Sequence, residues 1–183
     1  MTNQGAVEFD KELILRYDQP GPRYTSYPPA TQFGDGLGIA DFEEAMRRNN
    51  RTGEKPLSLY FHIPFCDTLC YFCGCNMQVT KNRQKIGDYV GLLKKEVDLY
   101  RRRIAPGRDV AQLHWGGGTP TYLEPEETRD LASHIRAAFP FADDIEAGVE
   151  IDPRGLTFDH LQALRESGFN RASMGVQDFE EKV

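Results

Sequence analysis

The sequence lacks the features of several large protein classes. It has no cysteine outside residues 66–75, so dispersed disulfide bridges of the secreted kind are excluded. It has no apolar run of signal-peptide or membrane-spanning length. Its net charge of −6 provides no basic excess for nucleic acid. The remaining composition, 39% hydrophobic and 27% charged, is that of a globular domain, and the clustered reduced cysteines predict a cytoplasmic location with no nucleic-acid or membrane partner.

All four cysteines, Cys66, Cys70, Cys73 and Cys75, lie within ten residues. Bridges between residues this close would strain disulfide geometry and remove little unfolded-state entropy, so a metal is the expected partner of the thiols. Structural zinc sites usually take two pairs of ligands from separate loops. The C-x3-C-x2-C spacing of the first three cysteines suits a [4Fe-4S] cluster better and would leave one iron open. An open cluster is therefore the preferred interpretation, and zinc is the alternative.

Hydrophobic periodicity predicts an α/β fold in which four strands alternate with three helices. This pattern is typical of parallel βαβ units with right-handed crossovers. A Rossmann-type sheet is the alternative, but no G-x-G-x-x-G follows a strand. Strands are expected at residues 57–63, 110–115, 145–151 and 171–176, with helices at 88–103, from 124 to about 138, and from 157 to 168.

The distinctive residues follow the ends of these predicted strands. The cysteines follow the first strand, glycines 116–118 the second, Glu150 ends the third and Gln177 follows the fourth. The carboxyl ends of parallel strands in a βα barrel carry its chemistry. We therefore expect these residues to share one site.

Residues 1–56 are expected to form an N-terminal arm with helical and extended parts. A short helix is predicted at residues 10–17 and another from Asp41, with Glu44 completing a capping box. Residues 57–183 would supply the first four βα strands of an open, partial TIM-like barrel. A complete barrel takes about 250 residues. We therefore expect the chain to be the N-terminal half of a longer enzyme and inactive alone.

Three strings carry a resemblance to known enzymes: residues 22–28, residues 60–76 and residues 114–120. The second contains the C-x3-C-x2-C loop with Phe72 before its last cysteine, which resembles the radical S-adenosylmethionine (SAM) enzymes. The three together resemble one family of that group, oxygen-independent coproporphyrinogen III oxidase of haem biosynthesis. The resemblance implies a radical SAM βα barrel, a [4Fe-4S] cluster and two SAM molecules in each active site.

The resemblance also implies roles for particular residues. Cys66, Cys70 and Cys73 would bind the cluster, whereas Cys75 would not. Glu150 would contact SAM and Gln177 a second SAM. The remaining cofactor contacts would be Tyr60 beside the open iron, Phe72 against adenine, and Gly117, Gly118 and Thr119 of the glycine motif. His62 and His114 receive no catalytic role, and Arg23, Lys81, Arg83 and Lys85 are weaker candidates for the substrate's propionates.

The implied reaction is oxidative decarboxylation of two propionates of coproporphyrinogen III to the vinyl groups of protoporphyrinogen IX. It would need an electron donor that the sequence does not identify, and the full-length enzyme would be a monomer. One alternative is a haem-binding or haem-delivery relative without this activity. The family's Gly74-Cys75-Asn76 string and its residue 23–28 arm are both present here, which ranks that alternative second.

Overall fold

The computed structural model of the protein describes residues 9–18, 28–51 and 55–180. The chain divides into two compact units, Met1–Phe42 and Glu43–Val183. The division that we predict after residue 56 marks the start of the first strand, whereas the compact units divide after Phe42. Residues 22–27 of the N-terminal resemblance string, including Arg23, lie outside the described residues.

The first unit contains helix α1 (Lys11–Tyr17) and the beginning of α2 (Ile39–Arg51). The helix predicted at residues 10–17 is present, and Asp10 caps it by accepting the Leu13 N–H at 2.9 Å. The predicted start of α2 is wrong by two residues, because Asp41 lies inside the first turn and accepts the Gly38 N–H at 2.9 Å. Glu44 does not complete a capping box; its carboxylate is 3.0 Å from Nε of Arg47.

The second unit continues from α2 with these elements: β1 (Leu57–Ile63), β2 (Phe65–Cys66), β3 (Gln78–Val79), α3 (Arg83–Arg103), β4 (Val110–Gly117), α4 (Pro125–Ala138), β5 (Phe141–Glu150), α5 (Phe158–Glu166) and β6 (Arg171–Ser173). Four strands form a parallel sheet in the order β1-β4-β5-β6, and β2-β3 is a separate two-stranded parallel pair. Each strand of the main sheet lies beside its predecessor and is reached through a helix, which is the progression of a βα barrel and confirms the predicted class.

The core lies between one face of the sheet and the helices. Trp115 is fully buried there, with its ring against those of Phe61 and Phe169. The alternation of β1 places Phe61 and Ile63 in this core, as predicted. Consequently the opposite face of the sheet is left to the polar residues of the same strands.

Helix faces were harder to predict than strands. The pattern puts Leu92 and Tyr100 on the inner face of α3, but both are exposed, and the buried stripe is Ile86, Val90, Leu93 and Val97. The helix begins at Arg83 rather than at residue 88. The predicted start therefore leaves out Ile86, the first residue of this buried stripe. In α5 the pattern predicts an inner face of Phe158, Leu161 and Leu164, but Leu164 is buried and the other two are exposed.

Three strands also differ from their predicted bounds. β4 ends at Gly117 rather than at residue 115, so the first two residues of the glycine run belong to the strand. β5 begins at Phe141, four residues before the predicted start, and β6 ends at Ser173 rather than at residue 176. The β2-β3 pair is too short to leave a periodic signal. None of the described helices has both the length and the apolar character needed to cross a membrane.

Candidate metal centre and cofactor site

The polar face of the sheet carries one row of chemically useful side chains. In register across the four strands lie Tyr60, His114, Gly148 and Arg171. The rings of Tyr60 and His114 stack with centroids 6.0 Å apart and planes 11° apart. Gly148 leaves room for the imidazole, because a Cβ there would lie 3.0 Å from Nδ1 of His114. His114, Gly148 and Arg171 of this row line an open cavity of about 530 Å³ on this face.

Glu150 is the last residue of β5, two residues after Gly148 and on the same face of the sheet. Its Oε1 is 3.5 Å from Nε2 of His114, and its Oε2 accepts the N–H of Gly117 at 3.1 Å. Gly116 makes this approach possible, since a Cβ at that position would lie 3.0 Å from the carboxylate carbon. Gly117 has φ 121, a backbone conformation that L side chains rarely adopt. The glycine run therefore holds Glu150 against the end of β4.

Tyr60 and His62 tie the end of β1 to the cysteine loop. Nε2 of His62 is 2.8 Å from the carbonyl oxygen of Asn76, which can only accept, so this nitrogen carries the hydrogen. In the neutral ring Nδ1 is then the acceptor for the Tyr60 hydroxyl at 3.0 Å. Partial burial raises the pKa of Tyr60, and the nearby Glu150 carboxylate and Cys75 thiol add to the effect. The phenol therefore remains a hydrogen-bond donor at neutral pH.

The first cysteine is the most firmly held of the four. The β2-β3 pair closes the loop at its base, with Cys66 in register with Val79. The thiol of Cys66 is buried and lies 3.4 Å from the Thr119 hydroxyl. Gly118 packs against the same point, because a Cβ there would lie 2.9 Å from Cys66 Sγ and 2.8 Å from the Pro64 backbone. Burial raises the pKa of the Cys66 thiol, although the Thr119 hydrogen bond opposes it.

The other three cysteines are exposed and unbridged. The Cys73 N–H donates to the Cys70 carbonyl at 3.1 Å, which turns the loop between them. Burial raises the pKa of Cys75, and the neighbouring Cys73 raises it further. Among the described residues, no three His, Cys, Asp or Glu side chains converge as ligands of a single metal ion would. A polynuclear cluster does not need such convergence, because each thiolate binds a different iron.

Comparison with known families decides which metal these thiols serve. A sequence model of the radical SAM superfamily matches residues 60–183, a span that includes the cysteine loop, the glycine run and Glu150. The chain belongs to the radical SAM superfamily.

Individual radical SAM relatives agree with this assignment. The chain is 48% identical over 177 residues to the oxygen-independent coproporphyrinogen III oxidase of Escherichia coli K12, covering 97% of this chain and 38% of that protein. It is 46% identical to the Pseudomonas aeruginosa enzyme of the same name, covering 97% and 39%. The solved structure of the E. coli coproporphyrinogen III oxidase, described as a radical SAM enzyme, superposes with a TM-score of 0.82 at 45% identity, covering 96% of this chain and 38% of the other. The chain thus spans slightly more than a third of these relatives, and the family resemblance is confirmed.

Membership of the superfamily implies a [4Fe-4S] cluster and SAM, which settles the choice between iron–sulfur and zinc. The residues present fit these groups. Three unbridged thiols have the C-x3-C-x2-C spacing. The first, Cys66, lies directly against Gly118, where any side chain larger than that of glycine would clash with its sulfur. Burial raises the pKa of the Cys66 thiol, but a bound metal would lower it, because a coordinated thiol is deprotonated.

The structure brings most of the predicted site residues together. Tyr60, Gly117 and Glu150 meet on the polar face, while Gly118 and Thr119 adjoin Cys66. Two other candidates are placed differently. Phe72 is 56% exposed on the loop. Gln177 is exposed with φ 65 and has its side-chain amide folded over Gly175.

Two residues of the site, His114 and Arg154, receive no role from the sequence, and Gly116, expected here with the rest of the glycine run, makes a contact that the sequence does not show. His114 and Gly116 position Glu150, and strand register could have indicated His114, because it shares the face of Tyr60. Arg154 lies at a second open cleft, of about 460 Å³, that Cys66 and Cys70 also line. Among the proposed propionate contacts, Arg83 instead bonds the Tyr122 carbonyl at 3.0 Å and the Glu127 carboxylate. Lys81 lies 3.6 Å from Asp67.

Proposed function

We propose that the chain forms the cluster-binding and SAM-binding part of an enzyme that decarboxylates coproporphyrinogen III oxidatively, without oxygen. Two propionates of the substrate would become the vinyl groups of protoporphyrinogen IX. The observation that carries the proposal is the 48% identity along 97% of the chain with an enzyme named for this activity. Because the chain covers only 38% of that relative, the activity belongs to the proposal.

Each part of the described site has a task in this reaction. Cys66, Cys70 and Cys73 would hold the cluster, and the bound cluster and SAM would supply a 5′-deoxyadenosyl radical that removes a hydrogen atom from a propionate. Loss of CO2, and of one electron to an acceptor, would then leave the vinyl group. Glu150, fixed by His114 and Gly117, would accept hydrogen bonds from polar groups of SAM. The remaining proposed SAM contacts are Tyr60, Phe72, Gly118 and Thr119, with Gln177 toward a second SAM.

The open cavity on the polar face of the sheet is suited to a substrate with ionised groups. Its walls carry His114, Glu146 and Arg171, with Arg171 Nη2 3.1 Å from the Glu146 carboxylate. An anionic propionate could replace Glu146 as the partner of Arg171 through a charge-assisted bond. We further infer a cytoplasmic enzyme supplied by a one-electron donor.

A chimera tests the function whether or not the chain is complete. The 177 aligned residues of this chain would replace their counterpart in the E. coli oxidase. The chimera would then be assayed anaerobically for conversion of coproporphyrinogen III. It would also be tested for its ability to support growth of an E. coli strain that lacks coproporphyrinogen III oxidase activity. We expect protoporphyrinogen IX to form, and a Cys70→Ser chimera to form none.

The result would be read together with the chimera's iron content. A chimera that binds iron and sulfide and cleaves SAM, but leaves coproporphyrinogen III unchanged, would overturn the proposed substrate. Such an outcome would favour a haem-binding or other relative of the superfamily. Cleavage of SAM alone therefore does not confirm the proposal.

A further inference from the structure

Arg154 is held in one orientation by its neighbour Asp152. The residue stands in the turn Pro153–Gly155 that follows β5, and Asp152 caps this turn by accepting the Arg154 N–H at 3.0 Å. The same carboxylate also accepts from Nε at 2.9 Å and from Nη2 at 2.6 Å. A two-pronged pair of this kind fixes the plane of a guanidinium group.

The guanidinium group thus fixed points at the cysteine loop. Its Nη2 donates a hydrogen bond to Sγ of Cys70 at 3.2 Å, across 84 residues of sequence. Arg154 and Cys70 line the same open cleft, on which Asp67 and Glu124 add negative charge. No part of the proposed SAM or substrate site requires this arginine.

We propose that Arg154 is a positioning residue that raises the reduction potential of the cluster through the Cys70 thiolate. One-electron reduction adds one negative charge to the cluster, and its thiolate ligands share that charge. A hydrogen bond from a cation to such a sulfur stabilises the reduced form more than the oxidised form. The inference rests on the superfamily's cluster and on Cys70 as a ligand, but on no particular substrate.

The test is a redox titration of the anaerobically reconstituted chain, with dithionite as the electron donor and the reduced cluster followed by electron paramagnetic resonance. Arg154→Gln removes the charge and the fork of donors. The matched control is Lys81→Gln, which also removes one positive charge beside the loop, but from a side chain paired with Asp67 at 3.6 Å. Arg154→Lys keeps the charge but cannot bind Asp152 and Cys70 through one rigid plane.

We expect Arg154→Gln to lower the equilibrium constant for reduction on the order of tenfold, about 59 mV for a one-electron couple. Lys81→Gln should leave the potential unchanged, and Arg154→Lys should fall between the wild type and Arg154→Gln. Equal shifts in Arg154→Gln and Lys81→Gln would reduce the effect to net charge and overturn the proposal. An unchanged potential in Arg154→Gln would also overturn it.

Iron and sulfide contents are measured first in every variant. If Arg154→Gln holds no cluster, Arg154→Lys decides: a lowered potential supports the proposal, and a wild-type potential contradicts it. Loss of iron from both variants would show that Arg154 folds the loop and does not tune the cluster. These readouts need no coproporphyrinogen, so they are independent of the proposed reaction.

Discussion

The imidazole Nε2 of His114 lies 3.5 Å from Oε1 of Glu150, while the other oxygen of this carboxylate accepts the Gly117 N–H at 3.1 Å. Both partners belong to β4, whereas Glu150 ends β5. The first distance is longer than a strong hydrogen bond. The carboxylate is therefore held by one good hydrogen bond and one adjustable contact, so a ligand can displace the imidazole.

The first prediction is that Glu150 sets the affinity for SAM. Glu150→Ala removes the acceptor, and Glu150→Gln removes its charge while keeping an oxygen for Gly117. Because a hydrogen bond to a charged group is worth about 1.5–3 kcal/mol, we expect affinity to fall by about tenfold or more for both variants. Titration calorimetry on the reconstituted protein measures the change, and iron content should stay constant.

Glu146→Gln is the matched control for this experiment. Glu146 lies on the same strand and the same face as Glu150, but pairs with Arg171 at 3.1 Å. Its replacement should leave SAM affinity unchanged, whereas Gly116→Ala should weaken binding by displacing Glu150. An equal loss in Glu146→Gln and Glu150→Gln would show that the general charge of the face matters, and not this site.

The second prediction is that substitution of Gly117 lowers stability as well as SAM affinity. A Cβ there would lie 2.9 Å from the Ile63 carbonyl oxygen, and φ is 121. Gly117→Ala or Gly117→Val should therefore lower the free energy of unfolding by about 2–4 kcal/mol, besides weakening SAM binding. Urea unfolding measures this loss. Gly155→Ala is the control, because a Cβ there meets nothing within 4 Å; a loss as large in that variant would contradict the argument.

The sheet could be predicted from the sequence because each strand carries its own signal. Alternation in residues 57–63 predicts β1 to the residue, and the placement of the cysteines after this strand follows from it. The buried face of a helix could not be predicted as well. The predicted start of α3 at residue 88 omits Ile86, the first residue of the buried stripe. The β2-β3 pair could not be predicted for a different reason: two-residue strands have no periodicity, and only the backbone hydrogen bonds from Gln78 to Pro64 and from Thr80 to Cys66 define the pair.

For the site, the spacing of the cysteines points to a metal by itself, whereas the glycine run is recognised by its place after a predicted strand and by the family resemblance. His114 and Arg154 were not, because their contacts cross between elements that are distant in sequence. His114 reaches Glu150 only through the β4-β5 register, and Arg154 reaches Cys70 across 84 residues. No local pattern encodes such a pairing. The contact of Gln177 with a second SAM remains a prediction.

The third prediction assigns Arg83 to stability. Its guanidinium group bonds the Tyr122 carbonyl at 3.0 Å and the Glu127 carboxylate, which ties the start of α3 to the start of α4. Arg83→Gln should lower the free energy of unfolding by about 1–2 kcal/mol, a value reduced for the partial exposure of the pair. Lys85→Gln, on the same helix and exposed, should change it by less than about 0.5 kcal/mol. Unchanged stability in Arg83→Gln, with impaired binding of coproporphyrinogen III, would return Arg83 to the substrate contacts.

The last prediction separates the four cysteines. Cys66→Ala, Cys70→Ala and Cys73→Ala should each abolish the cluster, because each removes a thiolate that binds its own iron. Cys75→Ala should keep it, since the first three cysteines complete the C-x3-C-x2-C set and one iron must stay free for SAM. Iron and sulfide analysis after anaerobic reconstitution gives the answer, with the wild-type chain reconstituted in parallel. If Cys75→Ala alone lost its iron, Cys75 would be a cluster ligand, and the assignment of the open iron would be wrong.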